Sequence, residues 1–198
     1  MKIVIDGLIG AGKSTQATLI SKVCDIDVVK EPVDEWPLDL FYCDPERWGF
    51  LMQTAVLTSF TKFKNLDGIF ERSPESSKEV FWKNLVDSET VTKAEDEIFH
   101  RFYKLLKWEP DITIFIQKEP ELCYKHIQQR GQAGDEGVSL EYLKTLDGYY
   151  RAYVKKCSSQ VYVVDGNGTV EDTNRNILKI LKPYIKQDSV KWPHDVYM

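Results

Sequence analysis

The chain is predicted to fold as an α/β protein, a doubly wound sheet of five parallel strands flanked by helices. Three observations predict it. Short segments rich in Val, Ile or Phe alternate with helical patterns from end to end. A glycine-rich turn joins the first strand directly to the first helix. No repeat, low-complexity tract or linker interrupts the alternation, so residues 1–198 read as one domain with room for a full core.

The strands are predicted at Lys2–Asp6, Asp27–Glu31, Gly68–Glu71, Asp111–Gln117 and Gln160–Asp165, each short and apolar as in a parallel sheet buried on both faces. The first helix begins at Lys13. The next covers Asp44–Lys64, where Trp48, Met52, Ala55, Val56, Ser59, Phe60 and Phe63 recur at three- or four-residue steps. Pro74–Asp87 follows, with Ser73 as N-cap and proline at the first helical position. Further helices are predicted over Glu89–Lys107, Pro120–Gln129, Ser139–Lys156 and Thr169–Lys186. The tail from Gln187 to Met198 shows no periodicity and is left unassigned.

The strongest local signal is Gly7-Leu8-Ile9-Gly10-Ala11-Gly12-Lys13-Ser14, a full match to G-x-x-x-x-G-K-[ST], followed by Thr15. It lies between an apolar strand and a helix, the context in which backbone N–H groups and a helix N-terminus can cradle phosphate. Lys13 would neutralise the β- and γ-phosphates, and the Ser14 hydroxyl would join a magnesium shell. A nucleoside-triphosphate site is therefore expected here, with residues 7–15 as its cradle.

Composition narrows the partners. Hydrophobic residues make up 42% and charged residues 29% of the chain, and its net charge is −5. That balance argues against a sequence-independent nucleic-acid binder, which needs a basic excess. Cys24, Cys43, Cys123 and Cys157 show no metal-ligand spacing and read as free thiols. No leader-like segment is read near Met1, and no apolar run approaches the ~20 residues of a membrane span. A cytoplasmic protein is expected.

In a doubly wound sheet the site forms at the carboxyl ends of the strands. Strand two delivers Glu31, within Glu31-Pro32-Val33-Asp34-Glu35-Trp36, and strand three delivers Glu71-Arg72-Ser73. Phosphoryl transfer needs positioned charge, a metal and a base for the attacking oxygen. Glu31 suits the base, Arg72 suits stabilisation of the transferring phosphoryl group, and Glu71 suits magnesium, directly or through water. The bland alternatives are a solvated carboxylate at Glu31 and a simple Arg72–Glu71 ion pair. On the long second helix, Gln53 offers a donor and acceptor side by side that fit a nucleobase edge, or else it is a surface residue. Ser77 and Phe81 share a helix face after Arg72, where Phe81 either stacks on a base or belongs to the core.

Taken together, Gly7–Ser14 with Gln16, Glu31-Pro32-Val33-x-x-Trp36, Tyr42-x-Asp44-Pro45-x-x-Trp48, Gln53 and Glu71-Arg72-Ser73 resemble the deoxyribonucleoside kinase family over nearly the whole chain, to about Lys182. The resemblance implies a P-loop kinase-type fold with a short lid, at about residues 126–138, and ATP as phosphate donor with magnesium. It implies that Glu31 deprotonates the nucleoside 5′-hydroxyl and that Arg72 holds that hydroxyl and the phosphoryl group. Tyr42 would bond the deoxyribose 3′-hydroxyl, Gln53 would read the base edge, and Phe81 would stack on the base. Trp36, Met52, Val56 and Phe60 would shape the pocket. In relatives that prefer deoxycytidine, an aspartate stands at the position of Ser77 and an arginine at that of Phe60. Their absence here points to thymidine, with deoxycytidine as a second substrate.

The lid departs from the family. Relatives carry several arginines there, whereas Lys125-His126-Ile127-Gln128-Gln129-Arg130-Gly131-Gln132-Ala133-Gly134-Asp135-Glu136 keeps only Arg130 and Lys125 as firm cations. Arg130 is expected to act on the phosphates, and Asp135 or Glu136 aligns with the lid glutamate that partners the 3′-hydroxyl tyrosine. Gly131 and Gly134 would make the lid flexible. Relatives are homodimers, and the Phe60/Phe63 and Phe81/Trp82 clusters permit the same arrangement here. Thymidylate kinase is the nearest enzymatic rival, and a nucleotide sensor or regulatory GTPase the rival from another class. Asn-Lys-x-Asp, which reads guanine, is absent.

Overall fold

The computed structural model describes residues 1–132 and 134–185. Five parallel strands form one sheet in the order β2-β3-β1-β4-β5. They are β1 (Lys2–Gly7), β2 (Val28–Val29), β3 (Gly68–Glu71), β4 (Ile112–Gln117) and β5 (Gln160–Asp165). β1 lies at the centre, pairing Ile5 with Glu71 on one side and with Ile114 on the other. The expected fold class and strand set stand. Strand two, however, is two residues long rather than reaching Glu31, because only Val28 and Val29 pair with β3. The outer strands β2 and β5 are also less buried than expected, since each has a sheet neighbour on one side only.

Alternation along β1 splits the core between the two faces of the sheet. Ile3 and Ile5 pack in a cluster that includes Ile20, Leu146, Tyr150 and Leu178. Val4 joins Phe70, Leu57, Phe60, Trp82, Phe99 and Trp108. In the second cluster the Trp82 and Phe99 rings stack 3.9 Å apart, and Trp108 Nε1 donates to Phe60 O at 3.0 Å.

Helix α1 covers Lys13–Cys24. The predicted helix Asp44–Lys64 is instead α2 (Leu38–Cys43) and α3 (Pro45–Phe60), followed by a 3₁₀ turn at Thr61–Phe63. Asp44 is the N-cap of α3, accepting from Arg47 N at 3.1 Å. Pro74–Asp87 comprises α4 (Pro74–Ser76) and α5 (Lys83–Asp87), joined by a π-helical segment at Ser77–Trp82. Ser73 caps α4 as expected, in a reciprocal box with Ser76. α6 covers Lys93–Leu106 and starts later than Glu89, because Thr92 and Glu95 form a capping box. α7 (Pro120–Arg130), α8 (Leu140–Val154) and α9 (Val170–Leu181) complete the layers, with Ser139 and Thr169 as N-caps of the last two. The last helix ends at Leu181 rather than continuing toward Lys186, with Lys182 as its C-cap and a turn following; Lys186 and the tail 187–198 lie outside the described residues. Gln16 ties the first and last helices together, donating to Val170 O at 2.9 Å and accepting from Asn174 Nδ2 at 3.0 Å.

Candidate active site

The loop between β1 and α1 is anchored by its apolar members: Leu8 and Ala11 are buried in the core. Gly10 has φ 81°, and a Cβ there would lie 2.5 Å from Cys123 O, so only glycine lets the loop pass α7. Lys13 is buried and donates to Gly7 O at 3.2 Å and Leu8 O at 2.9 Å, closing the loop on itself. Its pKa is lowered to about 8, first by burial and then by the charge of Arg72.

Ser14 Oγ donates to Glu71 Oε2 at 2.7 Å, joining the loop to the end of β3. The other oxygen of Glu71, Oε1, is buried with no hydrogen-bond partner. A buried carboxylate oxygen beside a serine hydroxyl is a suitable donor set for a hard divalent cation. The expected pairing of Ser14 and Glu71 around magnesium fits these residues.

Arg72 sits at φ 60°, an unusual conformation for a non-glycine residue, where the chain turns off β3 into the Ser73 cap. Its Nη1 donates to both oxygens of Glu31, at 2.7 and 2.5 Å, and both side chains are about nine-tenths buried. Arg72 therefore pairs with Glu31 and not with Glu71. Burial opposes its charge, yet Glu31, Tyr150 and Asp6 together hold its pKa above the ordinary value. Its guanidinium carbon lies 4.9 Å over the Phe81 ring, so Phe81 faces a cation as well as the cavity.

One cavity of about 530 Å³ connects these groups. Its wall includes Ile9, Gly10, Lys13 and Ser14 of the loop, then Glu31, Glu71 and Arg72. The same cavity is lined by Trp36, Met52, Gln53, Val56, Phe60, Ser77 and Phe81, the residues expected around a base, and by Tyr42, expected at the sugar. Gly7, Leu8, Ala11, Gly12 and Thr15 do not line it: the first three are buried beneath the loop and Thr15 is exposed on α1. Gln53 is buried rather than a surface residue, and its Oε1 accepts from Ser77 Oγ at 3.2 Å. Trp36 is oriented by a bond from Nε1 to Ser59 Oγ at 3.2 Å.

The lid holds a pairing that the sequence did not suggest. Arg130 lines the cavity and pairs with Asp135, its Nη2 and Nε donating at 2.7 and 2.9 Å. Gln132 N also donates to Asp135, at 3.0 Å. Burial opposes the charge of Asp135, but these bonds depress its pKa. Of the two aligned acids, Asp135 lines the cavity with Tyr42, whereas Glu136 is exposed and accepts from Gly134 N. Gly134 takes φ 85° at the start of the turn Asp135–Gly137. A Cβ on Gly137 would lie 2.3 Å from Tyr42 Cγ, so the lid backbone rests directly on that ring.

Several residues at the site were not anticipated, Leu38, Phe41 and Val138 of the cavity wall among them. Lys30 and Tyr142 line the cavity. Asp6 and Tyr150 are buried behind Arg72, with Tyr150 Oη accepting from Arg72 Nε at 3.1 Å and donating to Asp6 Oδ1 at 3.0 Å. Asp6 stands at the carboxyl end of a predicted strand, a signal available in the sequence. Tyr150 lies in a helical apolar pattern that reads only as core.

A model described as deoxynucleoside kinase matches residues 3–187. Deoxycytidine kinase of Homo sapiens is 32% identical over 186 residues, covering 73% of this chain and 72% of that one. Mitochondrial thymidine kinase 2 of Homo sapiens is 28% identical over 172 residues, covering 79% and 65%. Among solved structures, a deoxyadenosine kinase from M. mycoides with dCMP and a flexible dCDP bound is similar at a TM-score of 0.84. It is 29% identical, over 93% of this chain and 100% of that one.

Proposed function

The chain belongs to the deoxynucleoside kinase family, and from that membership and its cavity we propose that it transfers the γ-phosphate of ATP to the 5′-hydroxyl of thymidine or deoxycytidine. One observation carries the reading. A buried carboxylate–guanidinium pair, Glu31 and Arg72, lines one cavity together with Lys13 and Ser14 of the phosphate loop and with Gln53 among apolar and aromatic side chains.

The division of labour follows from the chemistry. A primary alcohol is a weak nucleophile at neutral pH, so Glu31 accepts its proton as the oxygen attacks the γ-phosphorus. The bond from that phosphorus to the β,γ-bridging oxygen breaks, and ADP leaves with the electron pair. Arg72 orients Glu31 through its two hydrogen bonds, and places positive charge where the phosphoryl oxygens gain negative charge. Lys13 contributes charge from the loop. Ser14 and Glu71 would hold magnesium, which supplies charge neutralisation on the donor.

At the other end, Gln53 presents an amide oriented by Ser77 to the edge of a pyrimidine, and Phe81 and Trp36 flank it. No charged side chain stands at positions 60 or 77, which favours a base read by neutral hydrogen bonds. Tyr42 and Asp135 stand together at the lid side, suited to a 3′-hydroxyl, and the ring of Tyr42 leaves little room for a ribose 2′-hydroxyl. The names of the similar proteins, kinases of deoxycytidine, thymidine and deoxyadenosine, are consistent with a deoxynucleoside acceptor.

We also read the protein as a cytoplasmic homodimer. Among the described residues no helix is long and apolar enough to cross a membrane. Phe60 and Trp82 are buried and cannot form the dimer face expected from the sequence. Instead Ile98, Phe102 and Leu105 form an exposed stripe along α6, and Leu51 is exposed on α3, which packs against α6. A transfer assay with γ-labelled ATP, run across the four deoxynucleosides, their ribo forms and thymidine monophosphate, tests the function. Labelled thymidine or deoxycytidine monophosphate is expected, and no labelled nucleotide from any nucleoside would refute it.

A further inference from the structure

Arg72 is held from behind as well as from the front. On the cavity side its Nη1 meets Glu31. On the buried side its Nε donates to Tyr150 Oη at 3.1 Å, and that hydroxyl donates onward to Asp6 Oδ1 at 3.0 Å. The same Asp6 oxygen accepts from Gly7 N at 2.8 Å, at the first residue of the phosphate loop. Tyr150 and Asp6 have no exposed surface. The ring of Tyr150 packs against Phe115 and meets Phe81 edge-on, and Phe81 in turn lies under the guanidinium.

A guanidinium is a planar fork, so fixing one edge fixes the direction of the others. Arg72 needs such a fix, because it leaves β3 in a left-handed backbone conformation and its side chain is otherwise located by the Glu31 carboxylate and an aromatic face. A hydroxyl is suited to the place: it accepts from the arginine with a lone pair and gives its own proton to the aspartate. A phenylalanine would fill the same volume in the core without either bond. The hydroxyl of Tyr150 is therefore placed for work on Arg72 rather than for packing.

We propose that Tyr150, with Asp6 behind it, is a positioning residue for phosphoryl transfer, which locks the Arg72 guanidinium in register with both Glu31 and the start of the phosphate loop. The proposal rests on the kinase reading above and adds to it residues that touch neither substrate nor phosphate.

The test compares the full-length wild type with Tyr150→Phe, Asp6→Asn and Tyr153→Phe in steady-state phosphate transfer. Tyr153 is a matched control: it is fully buried on the same helix, and its hydroxyl bonds Cys157 and not Arg72. Tyr150→Phe is expected to lower kcat about tenfold with the nucleoside KM within about twofold, while Tyr153→Phe leaves kcat unchanged. Asp6→Asn weakens the acceptor of the Tyr150 proton, and its smaller loss of kcat is expected to vanish in the Tyr150→Phe background. A kcat within twofold of wild type for Tyr150→Phe, or equal losses in Tyr150→Phe and Tyr153→Phe, overturns the proposal. If Tyr150→Phe does not fold, Asp6→Asn alone decides, an unchanged kcat overturning the proposal and a lowered kcat at constant KM supporting it. An inactive wild type would instead refute the kinase reading itself.

Discussion

Arg72 presents one guanidinium nitrogen to both carboxylate oxygens of Glu31, at 2.7 and 2.5 Å, although the two residues are 41 positions apart. Each relieves the desolvation of the other, so the pair is stable only as a pair. Lysine at position 72 keeps the charge but has no fork to share between Glu31 and Tyr150. Arg72→Lys is expected to lower kcat by about 10²-fold, measured by phosphate transfer at saturating ATP and nucleoside.

The lysine of the phosphate loop gives a pH signature. Its pKa is lowered from an ordinary 10.5 to about 8 in the ligand-free protein, by burial and by Arg72. Triphosphate binds the charged form, so affinity is expected to fall as pH rises through about 8. Above that point the loss approaches about tenfold per pH unit. The ligand-free fold responds in the opposite sense. Its Lys13 holds fewer protons than the unfolded chain between about 8 and 10.5, so this group adds stability as pH rises across that window. ATP titrations from pH 7 to 9.5 check the first effect, with Lys13→Met expected to bind weakly and without the step.

Part of this site was legible because its signals are local. The glycine, lysine and serine pattern at a strand–helix junction needs only eight adjacent residues. Glu31 and Arg72 were legible as residues at or just past the ends of predicted strands, since a parallel sheet brings such ends to one rim, although β2 itself stops at Val29. The Thr92–Glu95 capping box was also present in the sequence, and reading it would have moved the start of α6 from Glu89 to its observed place. Other features had no local signal. Tyr150 meets Asp6 across 144 residues, and its helical spacing says only that it is buried. The π-helical segment at Ser77–Trp82, between α4 and α5, is announced by no residue propensity. The Arg130–Asp135 pair depends on the turn made at Gly134, whereas the sequence alone directs Arg130 to the phosphates and Asp135 or Glu136 to the 3′-hydroxyl tyrosine.

Base recognition is expected to rest on one amide. Gln53 is buried and oriented by Ser77, and it lies in a pocket whose other walls are largely apolar. Gln53→Leu removes the hydrogen bonds to the base while keeping most of the volume. Its kcat/KM for thymidine is expected to fall by about 10²-fold, with little change in ATP affinity or melting temperature. Parallel measurements of kcat/KM, ATP binding and thermal unfolding check all three.

The exposed stripe on α6 leads to a prediction about assembly. Leu105 is 71% exposed and Phe102 40%, on the same face of a helix that is anchored in the core by the adjacent Phe99. Contiguous apolar surface of this kind marks an interface. Wild-type protein is expected to sediment as a dimer, and Phe102→Glu combined with Leu105→Glu as a folded monomer. Sedimentation velocity with a circular-dichroism control distinguishes the two.

The most direct test is phosphate transfer from γ-labelled ATP to thymidine and deoxycytidine by wild type and by Glu31→Gln. Wild type is expected to yield the labelled monophosphate. Glu31→Gln, which keeps the side chain's size but cannot accept the 5′-hydroxyl proton, is expected to lose at least about 10²-fold in kcat while still binding nucleoside. Transfer by Glu31→Gln at the wild-type rate, or its absence from wild type with every nucleoside, would contradict the assignment of this carboxylate–guanidinium pair as the reaction centre.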